Sequence, residues 1–126
     1  MHRSDANGSA IAKRNRIALF DAQSALLNDD VPTAQSRTAD AVAAAEALLA
    51  ALPVDSPATA RLSTGLNAAI EAAAAGNDVA LAAARGEIAT AILFGAHDAT
   101  LAAIDAGNAA GASSWLLVRE FRPSTR

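Results

Sequence analysis

His97 and Asp98 are the pair of adjacent residues whose types most suggest chemistry. A carboxylate beside an imidazole orients many general bases and metal ligands. In a helix, however, adjacent residues point about 100° apart. The spacing places His97 on a stripe with Leu101 and Ile104, predicted to face inward, and Asp98 on another face with Asp105. We therefore predict a half-buried or hydrogen-bonded histidine, not a catalytic one.

The other motifs of catalysis and metal binding are absent from the sequence. A di-iron bundle needs Glu-x-x-His on two helices, and no glutamate here has a histidine three residues later. Gly-x-Ser-x-Gly, the P-loop and Gly-x-Gly-x-x-Gly are also missing. With no cysteine there is no thiol chemistry. We predict no catalytic residue, no metal ligand and no cofactor.

A small-ligand pocket is the alternative that the residues leave open. Phe94 supplies an aromatic ring, Gly95 leaves space because it has no side chain, and His97 supplies a polar group. The pocket would lie between the third and fourth predicted helices. Apolar pockets with a few convergent polar groups are typical of ligand sites. These residues therefore predict, as the alternative function, an independent sensor or ligand-binding domain.

Composition excludes several classes of partner. The net charge of −3 and the pI near 5.2 argue against nucleic-acid binding, because domains that bind nucleic acid usually present a basic face. The one basic cluster, formed by Lys13, Arg14 and Arg16, is typical of a solvated helix face. The chain is 52% hydrophobic, but much of that share is alanine, and polar residues or glycine interrupt every apolar run. A membrane span needs about 18 consecutive apolar residues. We predict that this segment does not insert into a membrane.

Apolar residues recur three and four positions apart, which predicts helices throughout. The predicted helices are 9–28, a second from the 30–32 turn to 52, 57–75 and 78–106, with a kink or break near Gly95 and a short fifth helix ended by Pro123. Asp30, Ser56 and either Asn77 or Asp78 are the predicted N-caps. The predicted fold is an all-α, antiparallel up-and-down bundle of four long helices plus a short C-terminal helix.

The domain prediction follows from the same pattern. Residues 1–8 are predicted to be a disordered tail, 9–122 an Ala-rich helical bundle, and 123–126 a C-terminal tail. The last helix concentrates large side chains at Trp115, Leu116, Val118 and Phe121. Exposed aromatic area of this kind is typical of an interaction patch. From the residues alone, the predicted partner of this patch is a second copy in a homodimer.

The segment 115–126 carries a resemblance to a known family. Its sequence, WLLVREFRPSTR, resembles the pattern W-L-x-x-R-E-F-R-x-x-T-R in the soluble, extracytoplasmic N-terminal region of some bacterial oxidase-dependent iron permeases. The resemblance implies a non-catalytic module outside the cytoplasm, in the periplasm or at the cell surface, that acts by protein–protein contact. It also implies that the natural chain continues beyond residue 126, and that the partner is the remainder of that chain or a membrane permease. The permease motif Arg-Glu-Gly-Leu-Glu is absent, so no iron-binding residue is carried over to this chain.

Overall fold

The computed structural model describes residues 4–52 and 56–107, and these residues form four α-helices without a strand. The helices are α1 (Ser4–Leu27), α2 (Val31–Ala51), α3 (Pro57–Ala75) and α4 (Asp78–Asp105). The predicted all-α class and the four long helices are confirmed. The predicted fifth helix, with Trp115, lies outside the described residues.

The start of α1 and the continuity of α4 differ from the prediction. α1 begins at Ser4, inside the segment predicted as a tail, so the predicted start at residue 9 is wrong. α4 continues through Gly95 as one helix of 28 residues, so a break at that glycine is also wrong. Glycine lowers helix propensity by about 1 kcal/mol, but Gly95 is buried against neighbouring helices, and that packing keeps the helix continuous.

The predicted N-caps are confirmed by the hydrogen bonds at the start of each helix. Asp30, Ser56 and Asn77 each accept a hydrogen bond from a backbone N–H in the first turn of α2, α3 and α4. The hydrogen bonds from the side chain and backbone of Thr33 lower the pKa of Asp30. Gly76 ends α3 with φ of 69°, in the left-handed region that favours glycine. The turns are therefore specified locally by the sequence.

Successive helices run side by side in opposite directions. Each packs against its neighbours in the chain, and α1 also packs against α4. Asn15 shows the pairing of the first hairpin: its Nδ2 donates to the backbone oxygen of Ala41 at 2.8 Å, and both groups lie between α1 and α2. Arg37 of α2 pairs with Asp21 of α1 at 2.9 Å and with Asp40 at 2.6 Å, and these contacts raise the pKa of Arg37.

The core of the bundle is built mainly from alanine. The most completely buried of the large apolar side chains in the described residues are Leu62, Leu81 and Ile88. Gly65 of α3 lies directly against Ile88 of α4, so a Cβ atom at Gly65 would come within 2.9 Å of Ile88 Cγ1. Small side chains allow helix axes to approach toward the short end of the usual range of about 8–10 Å. The tight contact between α3 and α4 therefore depends on glycine at position 65.

Two glycine substitutions test this contact. Alanine is favoured over glycine in a helix by about 1 kcal/mol, and overpacking a core costs about 1–3 kcal/mol. We expect Gly65→Ala to lower the free energy of unfolding, since Ile88 is enclosed and cannot move aside freely. Gly86→Ala is the matched control, because a Cβ there meets nothing within 4 Å, and it should raise stability. Urea unfolding followed by circular dichroism measures both, and equal gains would contradict the close approach.

Candidate interaction surfaces

The orientation predicted for His97 and Asp98 is wrong. His97 is exposed, whereas Asp98 is half-buried and accepts a hydrogen bond from Ser56 Oγ at 2.7 Å. Ser56 Oγ also accepts the bond from the backbone N–H of Ala58, so the hydroxyl joins the α3 cap to α4. Asp98 therefore has a structural contact with Ser56, and the adjacent imidazole lies on the surface.

The reason lies in which residues of α4 face inward. The buried positions in its second half are small or short side chains, namely Ala91, Gly95, Ala96, Ala99 and Thr100. The large residues Leu101 and Ile104, predicted to face inward, are 49% and 57% exposed. A helix that approaches its neighbours closely buries the face that carries its small side chains, so the large side chains of α4 point outward here.

The three residues of the predicted ligand pocket differ in burial, since Gly95 is buried whereas Phe94 and His97 are exposed. Gly95 is buried, and a Cβ atom there would lie 3.0 Å from both methyl groups of Leu52 and 3.4 Å from Ala58 Cβ. Phe94 is 49% exposed, with the guanidinium carbon of Arg61 5.3 Å from its ring centre. His97 is exposed as well. Ligand binding at these residues stays a prediction.

An exposed apolar stripe runs along the second half of α4. It consists of Phe94, His97, Leu101 and Ile104, spaced three and four residues apart, and we call it the α4 stripe. Gly95 packs beside Ala58, close to the first residue of α3. The last three residues of the stripe therefore lie beyond the start of α3, on a part of α4 that this neighbour does not reach.

A second apolar surface is an open groove between α2 and α3, which we call the α2/α3 groove. Its volume is about 320 Å³, and it is lined by Gln35, Thr38, Ala39, Val42, Ala43, Glu46, Ile70, Ala73 and Ala74. Thr38 is 1% exposed, and its Oγ1 has no hydrogen-bond partner. A buried hydroxyl without a partner costs about 1–3 kcal/mol.

Sequence reasoning missed the α2/α3 groove, although Thr38 is one of its lining residues. The signal in the sequence was a hydroxyl in an otherwise Ala/Leu seam. In an Ala-rich helix such a residue is also consistent with simple core packing, so the groove becomes visible only when α2 and α3 are placed together.

The remaining predicted sites meet the described structure in different ways. Within residues 4–52 and 56–107, no group of three or more His, Asp or Glu side chains is placed to hold a metal ion. The predicted interaction patch, formed by Trp115, Leu116, Val118 and Phe121, falls outside the described residues.

α4 is long and apolar enough to cross a membrane, and it is the one such helix in the described part of the chain. This is weak evidence for insertion, because the core helix of a soluble bundle passes the same test of length and composition. α4 packs along α3, and 33% of its most apolar 18-residue stretch is buried. The absence of membrane insertion stays a prediction.

The partnerless hydroxyl of Thr38 gives a direct stability test. We expect Thr38→Val to raise the free energy of unfolding of the isolated chain by about 1 kcal/mol, because valine has the same shape without the unsatisfied hydroxyl. Thr64→Val, at an exposed position of α3, is the control and should change stability little. Thermal unfolding by circular dichroism compares the two variants. Destabilisation by Thr38→Val alone would mean that the hydroxyl is already satisfied.

Comparison with known proteins identifies the family. The model of the iron permease FTR1 N-terminal domain matches residues 6–126, nearly the whole chain. The search of curated proteins and the search of solved structures gave no match to the chain. The resemblance seen over residues 115–126 is thereby confirmed and extended through all four helices. The chain belongs to the iron permease FTR1 N-terminal domain family.

Proposed function

We propose that this chain is a non-catalytic, extracytoplasmic module of an iron-permease-like membrane transport protein, and that it acts by protein–protein contact. The observation that carries the proposal is the family match over residues 6–126. Because the family is named for iron permeases, membership supports a role as part of a transport protein. The similarity of residues 115–126 to extracytoplasmic regions of iron permeases supports a location outside the cytoplasm. Its partner is the permease part of the same protein.

The polar groups of the described bundle support a role without catalysis. Ser56 and Asp98 bond to each other, and Asn15 bonds across the first hairpin. Arg37 is paired with two aspartates. Arg61 stacks on Phe94 and pairs with Glu87 at 3.5 Å. These side chains connect helices to each other, as expected of a rigid scaffold.

The α2/α3 groove is the surface best suited to contact with the permease. It is open rather than enclosed, and alanines form much of its lining. Small side chains let a third helix approach closely, as in ridge-into-groove packing. The shape therefore suits an apolar helical segment.

Iron uptake by cells that carry the natural protein tests this proposal. Ala43 lies exposed in the groove, so Ala43→Arg places a long cation where the partner would pack. We expect uptake to fall several-fold while the amount of protein in the membrane stays the same. The control is Ala83→Arg, at an exposed position of α4, which should retain uptake. Equal uptake in both variants would contradict contact through the groove.

A reporter fused after residue 126 of the natural protein tests the location. We expect alkaline phosphatase, which is active only outside the cytoplasm, to be active at that position. Green fluorescent protein exported in unfolded form should be dark at the same position. The reverse pattern would place the domain in the cytoplasm and overturn the extracytoplasmic assignment.

A second candidate function is the binding of a small ligand, as in a sensor domain. The α2/α3 groove favours it, because its mostly apolar lining includes the polar side chains of Gln35 and Glu46, and ligand sites combine apolar walls with a few polar groups. A small amphiphilic molecule that stabilises the purified chain against heat, and loses that effect in Ala43→Arg, would support this function. Uptake that depends on Ala43 without any such ligand effect would support the protein contact instead.

A further inference from the structure

A further apolar surface runs along the solvent side of α1, and we call it the α1 face. Its members are separated alternately by three and four residues, and they are Ala10, Lys13, Ile17, Phe20, Ser24 and Leu27. The three large apolar members, Ile17, Phe20 and Leu27, are 43%, 57% and 66% exposed. This alternation is the heptad spacing of helices that pair in coiled coils. The α1 face therefore has the pattern of a helix-pairing surface, yet it lies on the outside of the bundle.

The bundle packs mainly on the opposite side of α1. That side carries the buried residues Ala18, Leu19, Ala22 and Leu26, which belong to the core between the helices. The large side chains of the α1 face add little to this core, because they remain near or above half exposure. Apolar area left in water is unfavourable in proportion to its size. A second apolar surface that covered the α1 face would therefore be stabilising.

Phe20 is held in position by α4. The guanidinium carbon of Arg85 lies 5.6 Å from the centre of the Phe20 ring, and Arg85 Nη1 donates a hydrogen bond to Gln23 Oε1 of the next turn of α1. A cation over an aromatic ring is attracted to it. A side chain that is already fixed loses little conformational freedom on binding. Phe20 is therefore suited to be the anchor of an interface.

Charge along α1 favours a second copy of the same helix, in the antiparallel direction. Between residues 10 and 30, all the cations precede all the carboxylates. The cations are Lys13, Arg14 and Arg16, and the carboxylates are Asp21, Asp29 and Asp30. A parallel copy would place the cations beside their own counterparts, and like charges side by side are unfavourable. An antiparallel copy turns the cations toward the carboxylate half, and two-fold symmetry repeats the same contact at both ends.

One two-fold register matches each position of the α1 face to a suitable position of the second copy. If Ile17 lies opposite Phe20 of the second copy, symmetry places Phe20 opposite Ile17 of the second copy. The other pairs in this register are Lys13 with Ser24 and Ala10 with Leu27. Large apolar side chains thus meet at the centre, polar residues meet each other, and each leucine meets a small alanine. A polar position within an apolar seam specifies the register of paired helices.

We infer that two copies of this chain associate through the α1 face as an antiparallel, two-fold helix pair, with Ile17 and Phe20 of each copy at its centre. The face spans about 26 Å at about 1.5 Å per residue, which is small for an interface, so the association is weak and depends on concentration. The residues that line the α2/α3 groove belong to α2 and α3. The dimer therefore leaves that groove open, and the inference does not rest on the proposed function.

Sedimentation equilibrium of the purified chain tests the association. We expect a monomer–dimer equilibrium in the micromolar range, and Ile17→Ser to weaken it roughly tenfold, because a polar side chain replaces an apolar one at the centre. The matched control is Leu101→Ser, since Leu101 is similarly exposed, at 49%, but lies on the α4 stripe. The control should leave the association unchanged. Circular dichroism checks that both variants remain helical.

Three outcomes of this experiment would overturn the inference. The first is a chain that stays monomeric up to high micromolar concentration. The second is a dimer that Leu101→Ser weakens as much as Ile17→Ser does, since the contact would then involve another surface. The third is a monomer that co-sediments with vesicles of phosphatidylcholine and phosphatidylglycerol and loses this binding in Ile17→Ser. That result would assign the α1 face to an anionic lipid surface.

Disulfides between copies test the direction and the register, because the chain has no cysteine of its own. A chain with Ala10→Cys is mixed with a chain with Leu27→Cys under mild oxidation. A bridge requires Cα atoms about 4.4–6.8 Å apart. We expect mainly the mixed disulfide, because the antiparallel register brings residues 10 and 27 together. Each variant alone should stay largely unbridged, since its two cysteines lie at opposite ends of the helix pair.

Non-reducing gels and mass spectrometry identify the bridges. A predominance of the mixed disulfide supports the inference. Self-bridged dimers in place of mixed ones would indicate a parallel pair and would overturn it. Equal amounts of all three bridged species, as expected from random collision, would contradict a defined register and would overturn it as well.

Discussion

Close approach between helix backbones is the constraint on which this bundle depends. An alanine side chain fills little volume, so a dense core forms only if the helices lie near one another. Gly65 against Ile88 and Gly95 against Leu52 show how little space remains between α3, α4 and the end of α2. The larger apolar side chains cannot all be accommodated inside, and several of them appear on the outer surface.

This constraint explains which parts of the structure the sequence could predict. The ends of α2 and α3 and the caps at Asp30, Ser56 and Asn77 depend on local hydrogen bonds, and they were predicted correctly. The inward face of α4 depends on the neighbouring helices. Large residues were expected inside, so Leu101 was assigned to the core, although Ala99 and Thr100 occupy it.

The candidate surfaces were less predictable than the fold. The α2/α3 groove requires two helices to be placed together, and Thr38 alone did not indicate it. The tail was recognised from a short segment, from Trp115 to Arg126, because large side chains and arginines are conspicuous in an Ala-rich chain. Its family assignment was predicted correctly, whereas the function of the surfaces depends on contacts that no single helix displays.

The alanine core also determines how stability changes with temperature. The heat capacity of unfolding rises with the apolar area exposed, by about 0.45 cal/K/mol for each Å². A buried alanine contributes less such area than a buried leucine, so this bundle should have a low heat capacity of unfolding for its length. A low value flattens the curve of stability against temperature. The fold therefore keeps more of its maximum stability in the cold, where many globular proteins weaken.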